Sequence, residues 1–410
     1  MISEIGTKTG GEPPRRAVLA GVLVALASLG SFTGILPVFR DLLQAHFDLS
    51  NARFALLLTF GSLAGAAGAL ASGPLTDARG PWPAFRLFLA LLAAGCALGA
   101  ISGGWILLMA ALGIIYFAYY GLLISAQAGL VVLFPGGRRR ILSVFLASSA
   151  SVAMLTPLAG EGLLKAVGAG RLSFGAALHG VFGVMTLVML AGLAWLLRQA
   201  DPAPAEPRQA EAGAGRGMVG GLWVLVALAT LHGTSDAMGQ VWIPRILAGP
   251  SYAMRWILPG TVVALFGLAY VVSRSLLGLM PERAWRRRLM VAPGLLGGLV
   301  FAAGLLTGTQ AGAAIGYVAG GFCWSVEYPV FLGIMAGDRR FGRAMAALNV
   351  ASGILCFVMP TAQGFVVDRL HAAGLGGREW NVLLLPAVGF AVNGLLGLFW
   401  VRRYGRCLND

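Results

Sequence analysis

Gly73-Pro-Leu-Thr-Asp77-Ala-Arg-Gly80 is a polar island between two long apolar runs, one starting near Phe54 and the next at Pro83. Read as a turn, it has a physical logic. Gly73 and Gly80 let two helix ends approach closely, and Asp77 can accept bonds from the free amides of a neighbouring helix end. An ordinary interhelical loop fits the same residues. The repeat of the pattern adds weight: half a chain-length later, in a chain of 410 residues, Gly278-Leu-Met-Pro-Glu282 sets a glycine and an acid at the same spacing. Other landmarks recur at nearly that offset. Leu36-Pro37 matches Ile243-Pro244, Arg138-Arg139 matches Arg339-Arg340, and Pro157-Leu-Ala159 matches Pro360-Thr-Ala362. The chain reads as a duplicated helical bundle.

Composition sets the solvent. Hydrophobic residues make up 58% of the chain and charged residues 11%, against about 25% charged in a soluble domain. That balance implies an integral membrane protein. The net charge of +14 raises nucleic acid as a partner, but the basic residues sit in short segments between apolar runs rather than along one face. Three of the four cysteines, Cys96, Cys323 and Cys356, fall in apolar runs, and Cys407 lies in the tail. Their spacing implies neither a zinc site nor a disulfide framework. The first apolar run is too long for a signal core and lacks a small-residue cleavage site.

A membrane-spanning helix needs about 20 apolar residues. Twelve such runs are legible, at 17–39, 53–74, 83–102, 105–133, 141–164, 174–198, 218–244, 254–278, 289–308, 311–336, 343–366 and 381–401. The predicted fold is all-α and membrane-embedded, with twelve transmembrane helices in two six-helix pseudo-symmetric halves. Residues 1–198 form the first half and 218–410 the second. The Pro-, Ala- and charge-rich stretch 199–217 reads as a cytoplasmic linker. With the N-terminus inside, most of the 30 Lys and Arg fall on the inner side, including Arg138-Arg139-Arg140 and Arg286-Arg287-Arg288. This predicts cytoplasmic termini.

Gly73-x-Leu75-x-Asp77-x-x-Gly80, placed between the second and third spans, resembles the signature loop of the major facilitator superfamily, and the twelve-span layout extends the resemblance over nearly the whole chain. The family's two basic residues after the last glycine are replaced here by Pro81 and Trp82; Arg79 and Arg86 stand nearby. The resemblance implies secondary transport by alternating access of two halves around a central cavity lined by spans one, four, seven and ten. It implies a conformational gate at Gly73, Asp77 and Gly80, with Arg138, Gly278 and Glu282 in the corresponding inner segments. It carries no cofactor, no metal and no enzymatic activity. The implied partners are a small-molecule substrate, a proton or other coupling ion, and the lipid bilayer of a bacterial inner membrane, with the protein a monomer.

Ionisable groups within apolar spans are few. Glu161, Asp236 and Glu327 are the acids, and each costs several kcal/mol in hydrocarbon unless it has a role. Glu161 lies within a turn of the outer end of span five, where an interfacial acid is an ordinary feature. Glu327 is about 14 Å from the inner end of span ten at 1.5 Å per residue, close to the midplane. It is either a cavity acid or half of a buried structural pair. Residues at helical spacing share a face with each deep acid: Tyr317, Trp324, Tyr328 and Phe331 with Glu327 on span ten, and His232, Ser235, Gly239 and Gln240 with Asp236 on span seven. Span four carries Tyr116, Tyr120, Leu123 and Gln127, and span one Ser28, Ser31 and Phe32. A lone histidine such as His232 is as readily a satisfied core residue as a ligand. Gly61, Gly65, Ala69 and Gly73 line one face of span two, either as a sliding surface between halves or as tight static packing.

No Lys or Arg lies deep in spans one, four, seven or ten, so the expected cavity is acidic if anything, which suits a neutral, zwitterionic or cationic solute better than an anion. Arg40, Arg245 and Arg255 near the outer rim leave an organic-anion carrier as an alternative. The family's drug-antiport motifs match in part: Phe117 stands where an arginine is usual before Tyr120-Gly121, and Thr156-Pro-Leu-Ala-Gly-Glu161 is a partial match in span five. Gly342-Arg-Ala-Met-Ala346, after Glu327-Tyr-Pro329, resembles the metabolite carriers instead. The expected mechanism couples a titrating acid, Glu327, to solute movement. A non-transporting receptor on the same fold is the rival from another class.

Overall fold

The computed structural model describes residues 13–36, 39–49, 51–199, 218–248, 259–281, 286–338 and 340–405. The expected linker beyond Gln199, the gate residue Glu282, and Arg255 and Arg339 lie outside the described residues, as do the side chains of Arg40, Glu161 and Arg245.

In hydrocarbon every backbone amide must be satisfied within its own segment, so long apolar runs become helices. Among the described residues there is no strand. The helices are α1 (Pro13–Leu29), extended by a 3-10 segment Gly30–Ile35, α2 (Arg40–Phe47), α3 (Asn51–Arg79), α4 (Pro81–Ala100), α5 (Trp105–Leu133), α6 (Arg138–Gly168) and α7 (Phe174–Leu197). They continue as α8 (Met218–Ala248), α9 (Pro259–Leu279), α10 (Arg286–Leu289), α11 (Ala292–Leu306), α12 (Gln310–Trp324), α13 (Glu327–Met335), α14 (Phe341–Ala372) and α15 (Leu384–Tyr404). Each of the twelve expected spans falls on one helix or on an interrupted helix. Among the described residues, seven helices are long and apolar enough, by length and composition, to cross a membrane. The protein is an integral membrane protein.

Helix starts are marked locally. The Ser173 hydroxyl caps α7 by accepting from Ala176 N at 3.2 Å, and the Thr309 hydroxyl caps α12 by accepting from Gly312 N at 3.0 Å. The opening stretch departs from its reading as a turn. Helix α3 continues through Pro74 to Arg79, so Gly73–Arg79 forms its last two turns and only Gly80 separates it from α4. The apolar run stops there, but the helix does not: Pro74, Asp77 and Arg79 are exposed, so its polar end needs no turn to keep the charges out of the packed interior. Gly80 adopts φ 84°, a value that favours glycine, and Pro81 follows at the first helical position, where its missing N–H costs nothing. Gly73 is buried and Asp77 exposed.

The chain forms two compact units. One comprises residues 1–135 and 152–207, the other 136–151 and 208–410. In the first unit, the glycine face of α3 is occupied by α5. A Cβ on Gly61 would stand 2.6 Å from the Tyr116 ring and one on Gly65 would stand 2.7 Å from the Tyr120 ring. That is static packing within one unit; at Gly61 and Gly65 the stripe is not a sliding surface. In the second unit the core is aromatic: Phe266, Phe301, Tyr317, Trp324 and Phe390 are all buried.

Candidate functional site

The second unit gathers its polar groups where span ten breaks. Helix α12 ends at Trp324 and α13 begins at Glu327. Proline has no N–H, so Pro329 cannot supply the amide that a continuous helix would offer to the Ser325 carbonyl. Arg274 of α9 supplies a donor instead, with its Nε 3.3 Å from that oxygen. The Ser325 hydroxyl is hydrogen-bonded to that of Ser273. The break puts Glu327 in the first turn of α13, where a helix start favours an acid.

Glu327 is 0% exposed. Its Oε2 lies 3.1 Å from His232 Nδ1 of α8 and accepts from Asn393 Nδ2 of α15 at 2.9 Å. Its Oε1, His232 Nε2 and Asn393 Oδ1 have no hydrogen-bond partner among the described residues. The His232 ring is held by aromatic neighbours, with Phe390 edge-on at 5.3 Å and Tyr328 at 5.8 Å. Phe390 in turn stacks on Trp324 at 3.9 Å and 9°.

One turn further along α8 a second acid has its own partners. Asp236 Oδ1 accepts from the Tyr270 hydroxyl at 2.7 Å, and Oδ2 from Gln240 Nε2 at 2.9 Å. Trp324 Nε1 donates to Tyr270 Oη at 2.6 Å, so indole, phenol and carboxylate form a chain. Gln240 is exposed and Asp236 half-buried. The Arg274 guanidinium lies 4.4 Å above the Tyr270 ring, close enough to act electrostatically on Asp236. Arg274 is 8% exposed. It donates to Leu146 O at 3.3 Å as well as to Ser325. The polar core of this unit therefore holds a cation beside its acids.

The structure thus brings together Glu327, His232 and Tyr328 in one cluster and Asp236, Gln240 and Trp324 in a second beside it. Tyr116, Tyr120, Gln127 and Ser31 belong to the first unit. Tyr116 hydrogen-bonds Thr33, and Tyr119, a neighbour not singled out from sequence, bonds Ser31. Tyr119 and Tyr120 meet edge-on at 5.8 Å. Gln127 is buried, with its Oε1 unpartnered among the described residues. Of the residues assigned to the inner gate, Gly278 packs against Val144, 3.4 Å from where its Cβ would stand, and Arg138 lies beside Gly337. Arg139, 2% exposed, donates to the Pro281 carbonyl.

No family model and no curated protein matches the sequence. Solved structures do. The fucose transporter FucP, crystallised in an outward conformation, superposes with a TM-score of 0.73 at 16% identity, over 94% of this chain and 99% of that one. The human organic anion transporter MFSD10 gives 0.69 at 18%, over 94% and 99%. The proton:xylose symporter XylE of the same superfamily gives 0.68 at 12%, over 95% and 96%.

The chain has the major facilitator fold.

Within that fold His232 and Asp236 lie on span seven and Trp324, Glu327 and Tyr328 on span ten. Three further contributors, from spans eight and twelve, were not singled out. Asn393 is the one amide within α15, which is a usable signal. Tyr270 and Arg274 are four residues apart on span eight, a spacing that places them on one face; nothing in the sequence said that this face turns toward span ten.

Proposed function

We propose that the protein is a secondary transporter that moves a small organic solute by alternating access, with Glu327 as the proton-coupling group. The buried Glu327–His232 pair carries this reading. A carboxylate without exposure, held by an imidazole and an amide and, among the described residues, by no Lys or Arg, can be neutralised by a proton without losing a permanently charged partner. The Asp236–Tyr270–Trp324 chain, with exposed Gln240, is the proposed solute contact. It offers aromatic faces and hydrogen-bonding groups suited to a neutral, zwitterionic or cationic solute. Residues 1–198 and 218–410 would be the two moving halves, joined by the linker 199–217, with both termini cytoplasmic in an inner membrane and the protein a monomer. Tyr116, Tyr120, Gln127 and Ser31 would contribute from the first half, and Gly73, Asp77, Gly80, Arg138, Gly278 and Glu282 would form the inner gate.

The test is counterflow and proton-driven uptake in liposomes, with solutes chosen by a thermal-shift screen, since a ligand that binds only the folded protein raises its melting temperature. Glu327→Gln should abolish pH-driven accumulation and leave counterflow intact, because a permanently neutral side chain mimics the loaded state. Wild-type behaviour in both assays makes the acid structural. Asp77→Ala should lower the transport rate several-fold with substrate affinity little changed. Unchanged rate and affinity would reduce that stretch to ordinary connection.

Arg274 favours a second reading, an organic-anion carrier. A buried guanidinium beside the proposed solute contact can offset a carboxylate on the substrate. A thermal-shift response confined to organic anions, lost in Arg274→Gln, would select it over the first.

A further inference from the structure

The two oxygens of Glu327 are chemically unequal. Oε2 is engaged by both His232 Nδ1 and Asn393 Nδ2, at 3.1 and 2.9 Å. Oε1 is buried with no hydrogen-bond donor among the described residues. It faces Gly294 of α11 so closely that a Cβ at that position would overlap it, and the same Cβ would stand 2.7 Å from the backbone carbonyl oxygen of Phe390 on α15. The missing side chain of Gly294 therefore leaves a slot bordered by two acceptors, a carboxylate oxygen and a peptide oxygen. Two acceptors that share a dry slot repel unless something between them donates.

We infer that Glu327 takes its proton on Oε1 alone, inside the slot made by Gly294, with the Phe390 carbonyl as acceptor and Asn393 as the positioning residue. The inference rests on the proposed coupling role of Glu327 and says how the site performs it. Protonation there forms one O–H bond at Oε1, with the proton delivered by hydronium, which leaves as water. The new O–H points at a carbonyl oxygen that already accepts from its own helix and has a second lone pair. Neither bond to Oε2 breaks, because Oε2 passes from carboxylate oxygen to acid carbonyl and remains an acceptor. With His232 carrying its hydrogen on Nδ1, a proton on Oε2 would instead oppose both the Asn393 amide and the imidazole N–H, which can only donate there, and would displace one of two existing bonds. Loading and unloading thus need no side-chain rearrangement. The titratable and charged groups around the site are His232 and Asp236 on α8, Tyr270 and Arg274 on α9, Tyr317 on α12, Tyr328 on α13 and Cys356 on α14; α11 and α15 present Gly294, Phe390 and Asn393 there.

Infrared difference spectroscopy of the purified protein across a pH titration tests this without any substrate. The wild type should show one buried carboxylic-acid carbonyl band that disappears in Glu327→Gln. Because that carbonyl is Oε2, which accepts from Asn393 Nδ2, Asn393→Leu should keep the band and move it to higher frequency. Gly294→Ala should abolish or displace it by filling the slot. If Gly294→Ala does not fold, the Asn393→Leu shift alone decides. A band that Asn393→Leu leaves unmoved, or the absence of any Glu327-dependent band, overturns the inference. A missing band alongside intact proton-driven uptake would overturn this inference while leaving the transporter reading standing. A normal band with no flux for any solute would do the reverse.

Discussion

The two units use aromatic stripes of the same helical spacing for different ends. On α5, Tyr116 and Tyr120 seat their rings over Gly61 and Gly65, as Tyr119 does over Gly30. On α9, α12 and α15 of the other unit, rings stack on rings: Phe266 on Tyr317 at 4.2 Å and 8°, and Trp324 on Phe390 at 3.9 Å and 9°. A ring over a glycine locks two helices at close range and leaves no room beside it. Rings stacked on one another leave their edges for other groups, and here those edges meet His232, Tyr270 and, through Tyr270, Asp236. The described ionisable cluster accordingly lies in the second unit, while the first contributes hydroxyls and one amide. A periodic aromatic stripe is therefore not by itself a binding surface; what faces it decides.

Three substitutions probe that contrast. The largest effect on transport is expected at Asp236→Asn, which removes the charge that Tyr270 and Gln240 address. Solute affinity should fall about tenfold, or about 1.4 kcal/mol, with coupling retained. Equal loss of affinity and coupling would merge the two acid clusters into one function. Next, Gly65→Val forces a branched side chain into the Tyr120 ring and should cost about 1–3 kcal/mol, read as a lower melting temperature of the purified protein. No change would mean that α3 and α5 have slack the geometry does not suggest. The smallest effect belongs to Tyr120→Phe. If that ring serves packing, transport should stay within about twofold of wild type, since phenylalanine keeps the ring that covers Gly65. A large loss would move Tyr120 from packing to solute contact and erase the contrast between the units.

The sequence by itself determined the solvent, the spans and the faces. Apolar run length sets where the chain must be helical in a bilayer, since unsatisfied amides are too costly there, and 3.6-residue periodicity puts His232 with Asp236 and Trp324 with Tyr328 on shared faces before any helix is packed. It also located the acids, because an acid in an apolar run is conspicuous. It misjudged the Gly73–Arg79 stretch, where polar residues signal the end of the membrane rather than the end of the helix. Only the tertiary structure decided the partners. Glu327 meets His232 across 95 residues of sequence and Asn393 across 66, and Arg274 reaches Ser325 across 51. Such pairings depend on how far each helix is rotated about its axis and where a proline interrupts it. Those are properties of neighbouring helices packing together, which no single span's pattern contains.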